Sequence, residues 1–468
     1  MTTTVIRNAD INGVSGMDVR LERGLVRSIG RRLRTTGADI VDARGGAVIP
    51  GLTDHHVHLH ALAASWLSVR CGPPQVRGPA ELALKLARSS SDDAGWVRGV
   101  GYDEEVAGPL DAHRLDELHA DRPVRVQHRS GALWMLNSRA VESAGLAIAD
   151  HPGVERYGDG APTGRVWRAD NWLRGRLPVV SPPSLAGVSR ALSRFGVTSV
   201  TDASPDLAVE SRAAIEADMA AGLLTQRVCL LGLPLTADPL GSSSVGGRLT
   251  CGPYKIVIAD SELPDAHTLA DTIRHARSLG RAVAVHCVTA EALVLLLHAF
   301  DMVGCIDGDR IEHASVVPYA CIEPLRALGL RVVTQPGFLA HRGDRFRHEV
   351  DEFEATNLYR CASLIDASIP VALSSDAPYG PLDPWSVLVS ARDRHSETGV
   401  TILPKERISA RAALEAFLSP AHDPGGRPRA VSVGIAADLI LLHAPLATVL
   451  KQPNANVVRA TYIAGEAV

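Results

Sequence analysis

His56 and His58 stand two apart at the end of the apolar run PGLTDHHVHL, and strand residues two apart face the same side about 7 Å from one another. Two imidazoles so placed can meet one ion; the alternative is a histidine-rich turn with no ligand role. His55 and His60 have the wrong parity or distance to join them. Three further polar residues each terminate a β-rich run: His286 after AVAV, His313 after RIE and Asp376 after VALSS. Singly, each is more often a satisfied histidine or a capping aspartate. Following the H-x-H pair in this order, they describe a metal site assembled at strand ends, where a (β/α)8 barrel builds its active site. Lys255 lies inside GPYKIVIAD, where a lone ammonium incurs a heavy desolvation cost. Either it snorkels from a strand end, or its neutral amine has reacted with carbon dioxide to give a carbamate, an anionic oxygen ligand able to bridge two cations.

The elements that must position these residues follow from the spacing. Between Lys255 and Asp376 the β-branched runs KIVIA, AVAVHCV, RIEHA and VVTQ alternate with helical patterns at the spacing of a parallel crossover. In TLADTIRHARSLG, residues Leu269, Ile273, Ala276 and Leu279 fall on one helical stripe, and Gly280 sits where a left-handed C-cap is wanted. GAVIPGLTDHHVHL, FGVTSVTDAS and QRVCLLGLP supply earlier strands, and with those carrying Lys255, His286, His313, Thr334 and Asp376 they make eight. The fold class expected is therefore α/β, a TIM barrel over residues 50–424, which fits a chain of 468 residues once additions to the roughly 250 of a bare barrel are counted. Residues of about 60–185, rich in Trp, Arg, Pro and Gly, read as an insertion after the first barrel strand. Residues 1–49 and 425–468 share short β-rich pieces and are expected to form one small β-sandwich from the two ends of the chain.

Apolar residues at 46% and charged residues at 21% are ordinary for a soluble protein, and a net charge of −4 gives no electrostatic reason to bind nucleic acid or an anionic membrane. A small-molecule partner is expected, and a homo-oligomer is compatible with the sequence. The seven cysteines form no C-x-x-C pair and read as reduced core thiols. No basic segment followed by an apolar one opens the chain, and no apolar stretch is long enough to span a bilayer, so a cytoplasmic address is expected.

The segments PGLTDHHVHL, YKIVIAD, VHCVT, IEHA and SSDAP, in this order, resemble the metal-dependent amidohydrolase superfamily, as do the terminal pieces VGIAADLILL and TYIAGEAV. GWVRGVGYDEE, LDELHADRPVRVQH and LNSRAVESAGL further resemble its amidohydrolase-3 branch, which includes N-substituted formamide deformylase-like and other C–N hydrolases. The resemblance implies that His56, His58 and Asp376 bind the more buried metal, that His286 and His313 bind the more exposed one, and that carboxylated Lys255 bridges them. It also implies that Asp376 acts as general base. Nitrogen-rich ligation points to zinc, as one or two ions. Asp54 and Glu312 stand beside ligand histidines and are candidates to support them, although adjacent strand residues point to opposite faces.

Two departures put substrate preference in doubt. The run Gly131–Ser138 lacks the histidine that many members of the branch carry there, and Cys287-Val288-Thr289-Ala290 follows His286 in place of the usual Ala-x-Gly-Asp. Arg129 and Trp134, in or beside the first departing segment, are the substrate-binding candidates, while Cys287 reads as a packed thiol rather than a nucleophile. The function expected is hydrolysis of an amide-like C–N bond. The alternatives are a mononuclear aminohydrolase of a heterocycle, for which Glu291 could serve as the helix-borne acid, and a catalytically silent assembly protein.

Overall fold

The computed structural model describes residues 3–178, 181–236, 244–259 and 263–468. It divides into two compact units, one made of the residues up to Leu59 together with Ser184–Val468, the other of His60–Pro183.

In the first unit, eight parallel strands carry the residues of interest: β1 (Leu52–Val57), β2 (Val197–Asp202), β3 (Arg227–Leu230), β4 (Tyr254–Val257), β5 (Val283–Cys287), β6 (Arg310–His313), β7 (Arg331–Thr334) and β8 (Val371–Leu373). All six residues of β1 and of β2 are buried, as in parallel strands covered on both faces. The ladder is recorded as two sheets, not as one closed ring. One holds β1, β2, β3 and the short strand Leu249–Cys251; the other runs from β4 to β8 in order. Backbone bonds cross both seams: Asp376 N–H to the His56 carbonyl and His58 N–H to that of Ala377 at one, both at 2.9 Å, and Lys255 N–H to that of Leu231 at the other, at 3.2 Å.

The crossover helices form where the pattern predicts. Asp265 caps Ala266–Ser278 by accepting from the amides of His267 and Thr268, and Leu269, Ile273 and Ala276 turn inward. Leu279, expected on the same stripe, lies past the last turn and is half exposed, because the chain reverses at Gly280, whose φ is +76°. Helix Ala290–Val303, capped by Thr289, packs Leu293, Leu296 and Phe300 into the same core as Val283, Val285 and Ile311.

Both chain ends enter one mixed sheet of eight strands, in which Leu439–Leu442 pairs with Ala47–Pro50. The approach there is close. A Cβ on Gly46 would stand 2.1 Å from the Leu442 carbonyl oxygen and 3.0 Å from that of Ala43, both backbone atoms. Gly46→Ala is expected to lower stability by about 2–3 kcal/mol, seen as a lower urea midpoint with unchanged slope; an unchanged midpoint would show that the turn adapts.

The second unit has a six-stranded sheet in the order Val154–Arg156, Pro162–Trp167, Leu133–Leu136, Val124–His128, Val97–Tyr102, Val69–Arg70. Among the described residues no helix is long and apolar enough to cross a membrane. Of the cysteines, five are buried; Cys305 is half-buried, and Cys251 is exposed rather than part of the core.

Candidate metal centre

The C-terminal ends of β1, β6 and β8 bring His56, His58, His313 and Asp376 together. Asp376 Oδ1 lies 3.2 Å from His58 Nε2 and 3.5 Å from His56 Nε2, and its Oδ2 lies 3.8 Å from His313 Nδ1. Ring centroids are 4.7 Å apart for His56 and His313, and 4.4 Å for His313 and His286, which extends the cluster to the end of β5. Two of these residues sit in the left-handed region of backbone space, His313 at φ +73° and Asp376 at +52°. Histidine and aspartate tolerate that region better than most residues, and such strain concentrates at functional sites.

The donor set suits a cation. His56, His58 and Asp376 each offer one ligand atom, all within 4.8 Å of one another. His56 Nε2 and Asp376 Oδ1 are buried without a hydrogen bond, although buried polar atoms nearly always have one. Burial above all, with Lys255 and neighbouring imidazoles adding to it, drives His56 well below its ordinary pKa; burial, then His286 and His56, does the same to His313. Both rings are thus neutral and able to donate a lone pair. Lys255 Nζ is likewise buried without a hydrogen bond, and burial brings the amine down to about 8 against the opposing pull of Glu312 and Asp376.

Around these atoms lies a supporting layer. Glu312 accepts from His56 Nδ1 through one carboxylate oxygen and from Arg310 Nε through the other, the latter at 2.6 Å, with all three side chains buried. Fixing Nδ1–H in this way turns Nε2 of His56 toward Asp376. Gln335 Oε1 is 3.0 Å from His313 Nδ1, and its Nε2 donates to Ser374 Oγ at 2.9 Å. Ser204 Oγ is 3.3 Å from His58 Nδ1. Asp54 takes the amides of His56 and Ser375 on one oxygen and is pushed up to about 6, chiefly by burial. His55 points elsewhere, to Ser419 Oγ at 3.0 Å.

The parity objection to Glu312 fails because alternation ends at His313, whose positive φ lets neighbouring residues serve one cluster. Gln335 and Arg310 escaped the sequence reading; Gln335 was signalled only as one more polar residue ending an apolar run. Glu291 is exposed on the first turn of its helix.

Arg129 and Trp134 belong to the second unit. Trp134 is buried, donates Nε1–H to Asp170 at 2.8 Å and has the guanidiniums of Arg98 and Arg125 over its ring. Arg129 pairs with Asp103 at 2.7 Å. Asn137, in the departing segment, caps Ser138–Ser143 and donates to the carbonyls of His119 and Arg122.

The sequence pattern of the amidohydrolase family matches residues 39–468. The chain is 24% identical to the N-substituted formamide deformylase of Arthrobacter pascens, covering 93% of this chain and 92% of that one. It is also 24% identical to the putative amidohydrolase YtcJ of Bacillus subtilis, covering 85% of each. Its fold is similar to that of an uncharacterized metal-dependent hydrolase from Pyrococcus horikoshii, with a TM-score of 0.76, 21% identity and full coverage of both chains.

Proposed function

The chain belongs to the amidohydrolase family, and from that premise we propose that this metal-dependent hydrolase cleaves an amide-like C–N bond of a small molecule. The observation that carries the reading is the pair of orphaned, buried atoms, His56 Nε2 and Asp376 Oδ1, facing a third ligand atom on His58.

In this reading the seam bonds close the two parallel sheets into a (β/α)8 barrel, which brings the strand ends into one ring. His56, His58 and Asp376 would hold one divalent ion, His286 and His313 would hold a second, and Lys255, carboxylated on Nζ, would supply a further anionic oxygen ligand. Zinc suits the histidine-rich set. Such an ion, when bound, lowers the pKa of water toward about 7 and polarises a carbonyl. Asp376 accepts the proton of the attacking water on a carboxylate oxygen and returns it to the leaving nitrogen. Glu312 and Gln335 hold the imidazoles in their working tautomers. An amine brought down to about 8 is partly neutral at physiological pH, the form that adds to carbon dioxide.

The test is metal content per chain, by mass spectrometry, of protein purified without chelator and with bicarbonate present, repeated for Lys255→Ala. Two ions falling to one or none are expected. A single ion indifferent to the substitution would point to a mononuclear enzyme, and none under repletion would sink the proposal. Turnover of hydantoins, N-acyl amino acids, formamides and aminoheterocycles identifies the bond.

A further inference from the structure

A cavity of about 1160 Å³ opens at the other end of the parallel strands. Its wall includes Thr53 and Arg227 at the starts of β1 and β3, and Pro253, Ala282 and Gly308 just ahead of β4, β5 and β6, whereas the candidate metal ligands other than Lys255 lie at or beyond the C-terminal ends. This cavity has no part in the chemistry proposed above.

Its charge is opposite to that of the chain. Five arginines line it (Arg227, Arg248, Arg281, Arg427 and Arg429) against two aspartates, Asp307 and Asp438, in a protein whose net charge is −4. Asp438 is taken by Arg227 at 2.7 Å, and Asp307 is exposed beside Arg331. Three of the other cations are held by neutral groups. Arg281 donates to the carbonyls of Leu231, Leu233, Gly252 and Pro253; Arg248 donates to those of Met219, Leu224 and Thr225; and Arg429 donates to those of Gly51 and Leu418 and to Thr53 Oγ1. Among the described residues none of these three has a carboxylate within 4.0 Å. Carbonyls fix the plane of a guanidinium without cancelling its charge; they engage most of the Arg281 donors, which leaves that residue to contribute positive potential, whereas Nε of Arg248 and Nη1 of Arg429 have none of these bonds and remain to donate to an anionic oxygen. The crowding has a cost. Burial, then Arg227, lowers the pKa of Arg248, and burial brings Arg429 to about 10, with Asp438 opposing and Arg227 adding to the fall.

We propose that this cavity is a second binding site, for a small anion carrying two or more negative charges on oxygen. Both a phosphate monoester and a dicarboxylate have this chemistry. Exposed Cys251 lies on the wall and provides a local reporter. The experiment measures the alkylation rate of Cys251 by uncharged iodoacetamide in the metal-loaded enzyme, by peptide mass spectrometry, as sulfate replaces chloride at constant ionic strength. Glycerol phosphate and succinate form parallel arms. Saturable slowing is expected, with the stronger of the two arms naming the group. Arg427→Glu, at an exposed position that leaves the fold intact, and Arg248→Gln should each raise the half-saturating concentration by about tenfold or more. No slowing by any of the three anions, or slowing unchanged in both variants, overturns the proposal.

Discussion

Asp376→Asn is expected to lower kcat/KM for the amide substrate by about a thousandfold or more while leaving the chain folded, within the range by which general acid–base groups act. Asparagine is the informative replacement because the backbone at Asp376 has φ +52°, and asparagine occupies that region as readily as aspartate, whereas alanine would add strain. What changes is the atom facing the imidazoles. In place of an anionic oxygen 3.2 Å from His58 Nε2 and 3.5 Å from His56 Nε2 stands a neutral amide that cannot take a proton. Metal content and steady-state rates should be measured on the same samples. Loss of activity with metal retained isolates the proton-accepting role; loss of both shows that the carboxylate is needed first as a ligand; activity within tenfold of the parent would remove Asp376 from the mechanism.

Strand ends were the most readable part of this chain. His56, His58, His313 and Asp376 are legible only together, because a polar residue ending an apolar β run is singly more often structural and it is their recurrence in barrel order that points to a site; the structure brings all four into one cluster. The residues that tune them were less visible. Glu312 is legible as a candidate to support a ligand histidine, but alternation points it away from the site, a rule that holds inside a regular strand and fails at His313, where the backbone turns left-handed. Arg310 resembles any charged residue opening a strand until its burial beside Glu312 is seen. Leu279 was misplaced because helical periodicity carries no mark of its own end, and Gly280 stops the helix before the stripe is complete. Pairing between the two chain ends follows from their shared composition, but which strands become neighbours does not, since composition identifies strands and not their partners.

The buried Arg310–Glu312 pair carries the largest effect on stability. Arg310 is 1% exposed and Glu312 0%, and removing one partner of such a pair typically costs about 3–5 kcal/mol because the other charge is left unbalanced. Arg310→Met is expected to show that deficit in urea unfolding at neutral pH. Burial alone would raise the Glu312 pKa, but Arg310 and Lys255 outweigh it and hold the carboxyl below its ordinary 4.5, so in the parent Glu312 contributes stability above that value and loses it as pH falls through the lowered one. Without Arg310 the opposing burial prevails and the carboxyl takes up a proton more easily in the folded state than in the unfolded one. The deficit should therefore begin to shrink above 4.5, as pH falls through the variant's raised value, and shrink further below 4.5 as the parent loses its own contribution; a deficit constant from pH 7 to 4 would mean that lost packing, not unbalanced charge, is its cause. Pairing Arg310→Met with Glu312→Gln should recover most of the stability, since both charges leave together. It should not recover the site, because His56 Nδ1 then faces a neutral amide, and metal affinity is expected to stay about 10- to 100-fold weaker. Recovered folding with weakened metal binding separates what Glu312 does for the core from what it does for His56.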